Sequence, residues 1–243
     1  MGVERRDELA RRLAAVRERI AAACVAAGRD PAEVELLAVT KTVPPEDVAT
    51  LLDLGLTAFG ENRVQEAEAK VSGVAALRPD AKPRWHLVGS LQRNKARSVT
   101  RWADRVESVD AIRLADALDA AARREQETGG RSDRLPVLLQ FSVDGDPRRG
   151  GVPRDGLGRL AEHVATCAGL QLAGLMAVAP LDADPDVAFA EVASAAAWLR
   201  ERFPQATVLS AGMSGDLEAA IRHGSGVVRV GTALVGERPL ISR

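Results

Sequence analysis

The sequence has 243 residues, 46% of them hydrophobic and only 3% aromatic, with 33 basic and 34 acidic side chains and a net charge of -1. This length and apolar content suffice for one sizeable core, and the balanced charge gives no sign of a nucleic-acid-binding surface. No apolar run reaches membrane-spanning length, and the charged N-terminus leads into no apolar segment of a signal peptide. We therefore expect a cytoplasmic protein that binds neither nucleic acid nor a membrane.

The chain begins with a predicted amphipathic helix. Apolar side chains recur at helical spacing from Leu9 to Cys24, and Gly28 then provides a stop signal. We expect residues 1–28 to form an additional N-terminal helix that packs on the barrel of a single domain, which spans residues 1–243.

Strands and helices alternate after this helix. Eight short apolar runs predict strands at residues 34–40, 57–59, 85–88, 106–109, 137–143, 172–178, 207–209 and 227–230. Longer helical patterns lie between them, at residues 46–54, 62–74, 91–101, 111–127, 155–167, 186–202 and 215–223. Such alternation predicts an α/β fold with parallel strands covered by helices. Eight strands in a chain of nearly the usual ~250 residues favour a single (β/α)8 barrel of the TIM type, with an open sheet as the alternative because the second run is very short.

Lys41 is the first candidate functional residue, because it alone among the four lysines ends an apolar strand. Active sites of these barrels lie at the carboxyl ends of the strands, so the Lys41 amine is expected at the barrel mouth. We expect the surrounding packing to desolvate this amine, and desolvation favours the neutral form that attacks aldehydes. Arginine cannot replace lysine in this role because its guanidinium stays protonated.

Three further segments carry candidate ligand-binding groups. Ser214 stands where a helix is predicted to begin, and the free N–H groups of a helix start bind anions, although plain capping by serine is the more common interpretation. Arg229 interrupts a strand of valines and needs a carboxylate, a ligand or water as partner. Gly231 and Thr232 follow that strand, where barrels often bind phosphate, but an internal Arg–Glu pair with an ordinary turn explains this segment equally well by itself. Asn62, after the second strand, is suited either to a ligand hydroxyl or to a helix N-cap.

Together these groups are more specific than any one of them. An amine on the first strand, a buried cation on the last and two phosphate-suited turns fit an aldehyde-bearing phosphate, of which pyridoxal 5'-phosphate (PLP) is the common example. Lys41 would then form the aldimine, and Arg229 would face the pyridine nitrogen. Ser214, Gly231 and Thr232 would hold the phosphate.

Six segments also carry a family resemblance, at residues 36–41, 59–66, 85–95, 174–177, 212–214 and 228–233. They resemble, in this order and over nearly the whole chain, the motifs of the pyridoxal phosphate homeostasis proteins. The resemblance implies a single barrel similar to the N-terminal domain of alanine racemase, with the cofactor on Lys41 and with Met213 in the cofactor-binding set. It also implies a role in buffering or delivering PLP, with apo PLP-dependent enzymes as candidate recipients, and no established catalytic turnover.

The alternative function is catalytic: a weak or vestigial PLP-dependent amino-acid racemase, or another Schiff-base enzyme. Two-base racemisation needs an acid or base on each face of the substrate carbon, and in alanine racemases a tyrosine from a second domain and partner subunit supplies one of them. This sequence contains no Tyr, and its length leaves no room for a second domain beside the barrel. An arginine at the pyridine nitrogen also weakens the ring as an electron sink. We therefore expect a cofactor carrier or buffer, and a monomer because the racemase-type dimer contact would be missing.

Overall fold

Eight parallel strands close into one barrel in the computed structural model, which describes residues 3–41, 43–146 and 148–236. The strands follow one another around the ring in chain order, and β1 (Glu35–Val39) pairs with both β2 (Ala58–Glu61) and β8 (Val227–Val230). The strands between them are β3 (Arg84–Leu87), β4 (Arg105–Val109), β5 (Leu135–Phe141), β6 (Leu170–Ala177) and β7 (Val208–Ser210). This closure confirms the predicted (β/α)8 barrel and excludes the open sheet. Each observed strand end lies within two residues of its predicted position.

Helices cover the outside of the barrel, and each strand is followed by one. The helices are α1 (Val3–Ala26), which precedes the barrel, α2 (Pro45–Asp53), α3 (Val64–Leu77), α4 (Ala96–Val99), α5 (Ile112–Glu127), α6 (Arg154–Thr166), α7 (Pro185–Arg202), α8 (Leu217–Arg222) and α9 (Thr232–Val235). Short 3₁₀ turns at Pro31–Glu33 and Arg93–Lys95 precede β1 and α4. In the described ranges, none of these helices combines the length and the apolar character needed to cross a lipid bilayer.

Side chains alternate along the strands between the barrel interior and the layer beneath the helices. In the interior, Leu37, Ala58 and Val227 pack together, and Leu138 and Met176 belong to a second interior group. The larger apolar clusters lie outside the ring, where the strands meet the helices. The interior is therefore only partly apolar, which leaves room for the polar groups described below.

The helix α1 packs against the barrel at the side where the first and last strands meet. Its buried face, which includes Leu9, belongs to the same apolar cluster as Leu51 of α2, Leu217 of α8 and Leu234 of α9. The helix therefore contacts the elements that follow β1, β7 and β8. The predicted domain of residues 1–243 also includes residues 1, 2 and 237–243, which lie outside the described residues.

Two helix starts differ from the sequence-based expectation. The helix α8 has Asp216 in its N-cap position, so Ser214 does not cap it. Ser214 instead lies in a turn that the backbone N–H of Met213 closes by donating to Asp216 Oδ1 at 2.6 Å. The helix α3 has Arg63 in its N-cap position, so Asn62 does not cap a helix either. Both side chains are thereby left for other contacts.

Gly174→Ala should destabilise the barrel, because Gly174 has a φ of +154° and faces the backbone of β7. An added Cβ would overlap the carbonyl oxygen of Val208 and lie 2.7 Å from its carbonyl carbon. The two strands would have to separate, and we expect the free energy of unfolding to fall by about 3 kcal/mol, measured by equilibrium chemical denaturation.

Gly226→Ala is the matched control for this prediction. The nearest atom to its added Cβ is the carbonyl oxygen of Glu33 at 3.7 Å, so the methyl group fits. We expect its free energy of unfolding to change by less than about 0.5 kcal/mol. Similar losses in both variants would contradict the steric argument.

Candidate functional site

The carboxyl ends of the strands surround a cavity of about 540 Å³. All seven residues that the sequence singled out line it: Lys41, Asn62, Met213, Ser214, Arg229, Gly231 and Thr232. The other lining residues, which sequence reasoning missed, are Val39, Val88, Val178, Gly215, Val235 and Gly236. The cavity therefore combines apolar walls with a few converging polar groups, as small-molecule sites usually do.

Lys41 lies in a turn two residues beyond the end of β1 and lines the cavity from there. It is exposed, so the expectation that protein packing desolvates its amine was wrong. The turn carries the side chain past the packed end of the strand. The amine is therefore open to a ligand that approaches the barrel mouth from solvent.

A buried cluster next to Lys41 fixes the backbone that precedes it. Glu61 Oε1 accepts hydrogen bonds from Thr40 Oγ1 at 2.6 Å and from Lys70 Nζ at 2.7 Å. The Lys70 ammonium also donates to the carbonyl oxygen of Thr40. All three residues are at most 6% exposed, and buried ion pairs need such extra hydrogen bonds to offset desolvation. The cluster therefore holds the end of β1 in place and commits Lys70 to a structural role.

Arg229 supplies a buried cation to the cavity. It is 4% exposed, and its Nη1 donates to Ser210 Oγ at 2.8 Å while its Nη2 donates to the carbonyl oxygen of Ala177 at 2.7 Å. Burial lowers the pKa of Arg229, and the charges of Glu107 and Asp216 oppose that shift. Arginine stays protonated in proteins, so the guanidinium keeps its charge.

The hydrogen bonds of Arg229 continue through the barrel interior to two further strands. Ser210 Oγ donates to Glu107 Oε2 at 2.6 Å, and Glu107 Oε1 accepts from Nδ1 of His86 at 2.8 Å. Burial by itself raises the pKa of Glu107, but the hydrogen bonds and charges of its neighbours, chiefly His86, outweigh burial and lower it. Glu107 is therefore the carboxylate that balances the buried arginine, through Ser210. Sequence reasoning required such a partner without finding it, although a glutamate inside the predicted fourth strand was the available signal.

Glycine and backbone hydrogen bonds shape the two turns that carry Ser214 and Thr232. Gly212 has a φ of +92°, and a Cβ there would lie 2.5 Å from the Cβ of Ala220, so glycine is required for α8 to pack against its turn. The carbonyl oxygen of Gly212 accepts the backbone N–H of Arg229 at 2.9 Å, which joins this turn to β8. Thr232 begins α9, in which the backbone N–H groups of Leu234 and Val235 donate to the carbonyl oxygen of Gly231 at 2.8 and 2.9 Å. The hydroxyl-bearing residues of the two turns, Ser214 and Thr232, both line the cavity, where a ligand can reach them.

These features define a (β/α)8 barrel with a cavity at the carboxyl ends of its strands, which an exposed lysine and a buried arginine line. The family model of the alanine racemase N-terminal domain matches residues 12–239. The chain is 48% identical over 248 residues to the pyridoxal phosphate homeostasis protein of Mycobacterium tuberculosis, covering 98% of this chain and 96% of that one. It is 38% identical over 240 residues to the protein of the same name from Escherichia coli K12, covering 96% and 97%. It therefore belongs to the pyridoxal phosphate homeostasis protein family, as its motifs indicated.

A solved structure shares this fold over most of the chain. PipY of Synechococcus elongatus PCC7942 is 35% identical to this chain with a TM-score of 0.78, covering 94% of this chain and 100% of PipY. That PipY structure has PLP bound.

Glu107→Gln should destabilise the protein, because it removes the charge that balances Arg229. The folded-state pKa of Glu107 is lowered, so its stabilising contribution is complete above its ordinary pKa and is lost as the pH falls through the lowered value. We expect the variant to lose about 3 kcal/mol of unfolding free energy at neutral pH. The gap from the wild type should close as the pH is lowered, which denaturation at a series of pH values measures.

Glu127→Gln, at the exposed end of α5, is the matched control. It removes the same charge from the surface and should change the unfolding free energy by less than about 0.5 kcal/mol. A wild-type advantage over Glu107→Gln that persists unchanged into acid would argue against an ionised Glu107.

Proposed function

We propose that this chain binds PLP at the barrel mouth through Lys41 and acts in PLP homeostasis as a carrier or buffer of the cofactor. The observation that carries this proposal is that the exposed amine of Lys41 and the buried guanidinium of Arg229 line one cavity with the hydroxyl groups of Ser214 and Thr232. PLP supplies an aldehyde that condenses with a lysine amine, releasing water, and a phosphate that needs hydrogen-bond donors. The names of the family relatives and the PLP in PipY support the same ligand.

Arg229 would face the ring nitrogen of the cofactor. Its hydrogen bonds to Ser210 and Ala177 hold the guanidinium in place for this contact. A guanidinium donates a hydrogen bond without giving up its proton, so the ring nitrogen would stay unprotonated. An unprotonated ring is a poor electron sink, which favours holding the cofactor over using it. The lack of Tyr in the sequence also favours a carrier over a two-base racemase.

The phosphate would lie against the two turns. Ser214 and Thr232 would donate their hydroxyl groups, and Gly231 would leave its backbone accessible because it has no side chain. Asn62 would hydrogen-bond the ring hydroxyl of the cofactor, and Met213 would pack against the ligand. All five line the same cavity as Lys41, which supports their assignment to one binding site.

The proposal extends to partners and location. The exposed position of Lys41 would leave the cofactor within reach of apo PLP-dependent enzymes, which supports transfer to them. Cys24 and Cys167 are buried free thiols, and burial raises the pKa of both, in keeping with a reducing cytoplasm. A monomer is the expected assembly, to be measured by sedimentation. Transfer of PLP from the loaded protein to an apo-enzyme would test the carrier role directly.

Lys41→Ala should abolish covalent binding of PLP, because it removes the amine that the proposal requires. We expect the wild type to be purified yellow and borohydride to fix the cofactor to Lys41, as detected by absorbance and by mass spectrometry of peptides. Lys95→Ala is the control, since Lys95 lies in the 3₁₀ turn before α4 and should bind PLP like the wild type.

Two results would count against this assignment. One is a colourless wild type, and the other is a Lys41→Ala protein with unchanged ligand content. The catalytic alternative has its own measurement, which is deuterium exchange at the α-carbon of alanine. Rapid exchange catalysed by the wild type would show that the protein is an enzyme and would contradict the carrier role.

Ser214→Ala and Thr232→Ala should each lower the affinity for PLP more than the affinity for pyridoxal, which lacks the phosphate. A lost hydrogen bond to a charged group corresponds to about a 10-fold weaker affinity for PLP. The affinity for pyridoxal should change less than about 2-fold, because the hydroxyl groups are expected to contact only the phosphate. Titrations followed by absorbance measure the affinities for both ligands. Equal losses of affinity for the two would contradict a contact between these hydroxyl groups and the phosphate.

A further inference from the structure

The helix α1 reaches the turn that carries Ser214. Arg19 Nη1 donates to the carbonyl oxygen of Ser214 at 2.7 Å. The other edge of the same guanidinium binds both carboxylate oxygens of Glu218 on α8, with Nη2 and Oε2 2.6 Å apart. Arg19 is therefore anchored to α8 by one edge and holds the turn with the other, and charge-assisted pairing of this kind fixes its geometry.

A second arginine of α1 reaches the other turn. Arg5 Nη2 donates to the carbonyl oxygen of Val235 at 3.0 Å, and the same side chain binds Asp47 of α2 through Nη2 at 2.6 Å and Nε at 3.1 Å. Val235 ends the four-residue helix α9, which begins at Thr232. One helix outside the barrel therefore holds both turns whose hydroxyl groups line the cavity.

We infer that Arg19 and Arg5 are positioning residues for the phosphate of the ligand. Neither is among the described residues that line the cavity, so each acts through the backbone of the turn that it binds. This inference rests on the proposed function and adds to it a role for the N-terminal helix. A turn that is held in its binding conformation before the ligand arrives loses less conformational freedom on binding, which raises affinity. The gain is confined to the phosphate, because Lys41 lies on a different strand end.

The packing of α1 does not depend on Arg19. The helix buries a continuous apolar face that includes Leu9, and such faces supply most of the stability of a docked helix. Arg17 of the same helix donates to the carbonyl oxygens of Leu54 at 3.4 Å and Gly55 at 3.1 Å. These carbonyl groups lie between α2 and β2, at the amino end of the strands and away from the cavity. Arg17 is therefore a control of the same residue type on the same helix, which donates to backbone carbonyl groups as Arg19 does, although Arg19 also binds the Glu218 carboxylate.

The test compares the affinities of Arg19→Met and Arg17→Met proteins for PLP and for pyridoxal. We expect Arg19→Met to lower the affinity for PLP about 5-fold and the affinity for pyridoxal less than about 2-fold. Arg17→Met should leave both affinities within about 2-fold of those of the wild type. Arg5→Met should give the same split as Arg19→Met. Unchanged PLP affinity in Arg19→Met, equal weakening of both ligands, or the same split in Arg17→Met would overturn the inference. A wild type that binds neither ligand refutes the proposed function instead.

A second measurement does not require any variant to fold. Coupling between two sites is reciprocal, so a phosphate that benefits from the arginine contact must in turn tighten it. In the wild type, PLP should slow amide hydrogen exchange in residues 213–216 and in α1 around Arg19 about 5-fold more than pyridoxal does. Equal protection by the two ligands would also overturn the inference.

Discussion

A charged guanidinium inside a closed barrel is the constraint on which this structure depends. Arg229 has to be given partners, because a buried charge without them is strongly destabilising. The barrel meets this requirement with hydrogen bonds that run from β8 through Ser210 on β7 to Glu107 on β4 and His86 on β3. Since β4 and β7 are not neighbours in the ring, these bonds brace the barrel across its interior. The same bonds hold the cation at the cavity, so the stability of the fold and the chemistry of the site share one set of residues.

Two lysines close to the first strand have different roles because their surroundings differ. Lys70 is buried against Glu61 and the carbonyl oxygen of Thr40, which keeps its ammonium occupied. Lys41 is exposed at the cavity, in the turn that follows the strand. The sequence pattern locates the end of a strand, but it does not reveal how far the next turn carries a side chain beyond the packed core. The prediction that packing desolvates the Lys41 amine was wrong for this reason.

Much of the barrel was predictable from the sequence, because short apolar runs separated by helical patterns mark its strands. Lys41 and Arg229 were identified for a similar reason, since each is a charge within or at the end of an apolar run. Glu107 interrupts its strand in the same way and could have been found by the same argument. Its connection to Arg229 could not, because Ser210 lies 103 positions from Glu107 and only the closed ring brings them together. The start of α8 was also missed, since serine and aspartate are both good N-cap residues and the sequence offers both within one turn.

The pairing of β8 with β1 determines when the cavity is completed during synthesis of the chain. Leu37 lies beside Arg229 in the register of these two strands, and the same pairing lets Lys41 and Arg229 line one cavity although 188 positions separate them in the sequence. A ribosome releases the lysine-bearing segment long before the last strand has been made. A nascent chain therefore carries Lys41 before Arg229 exists, and the cavity that both residues line is complete only after the last strand has been made.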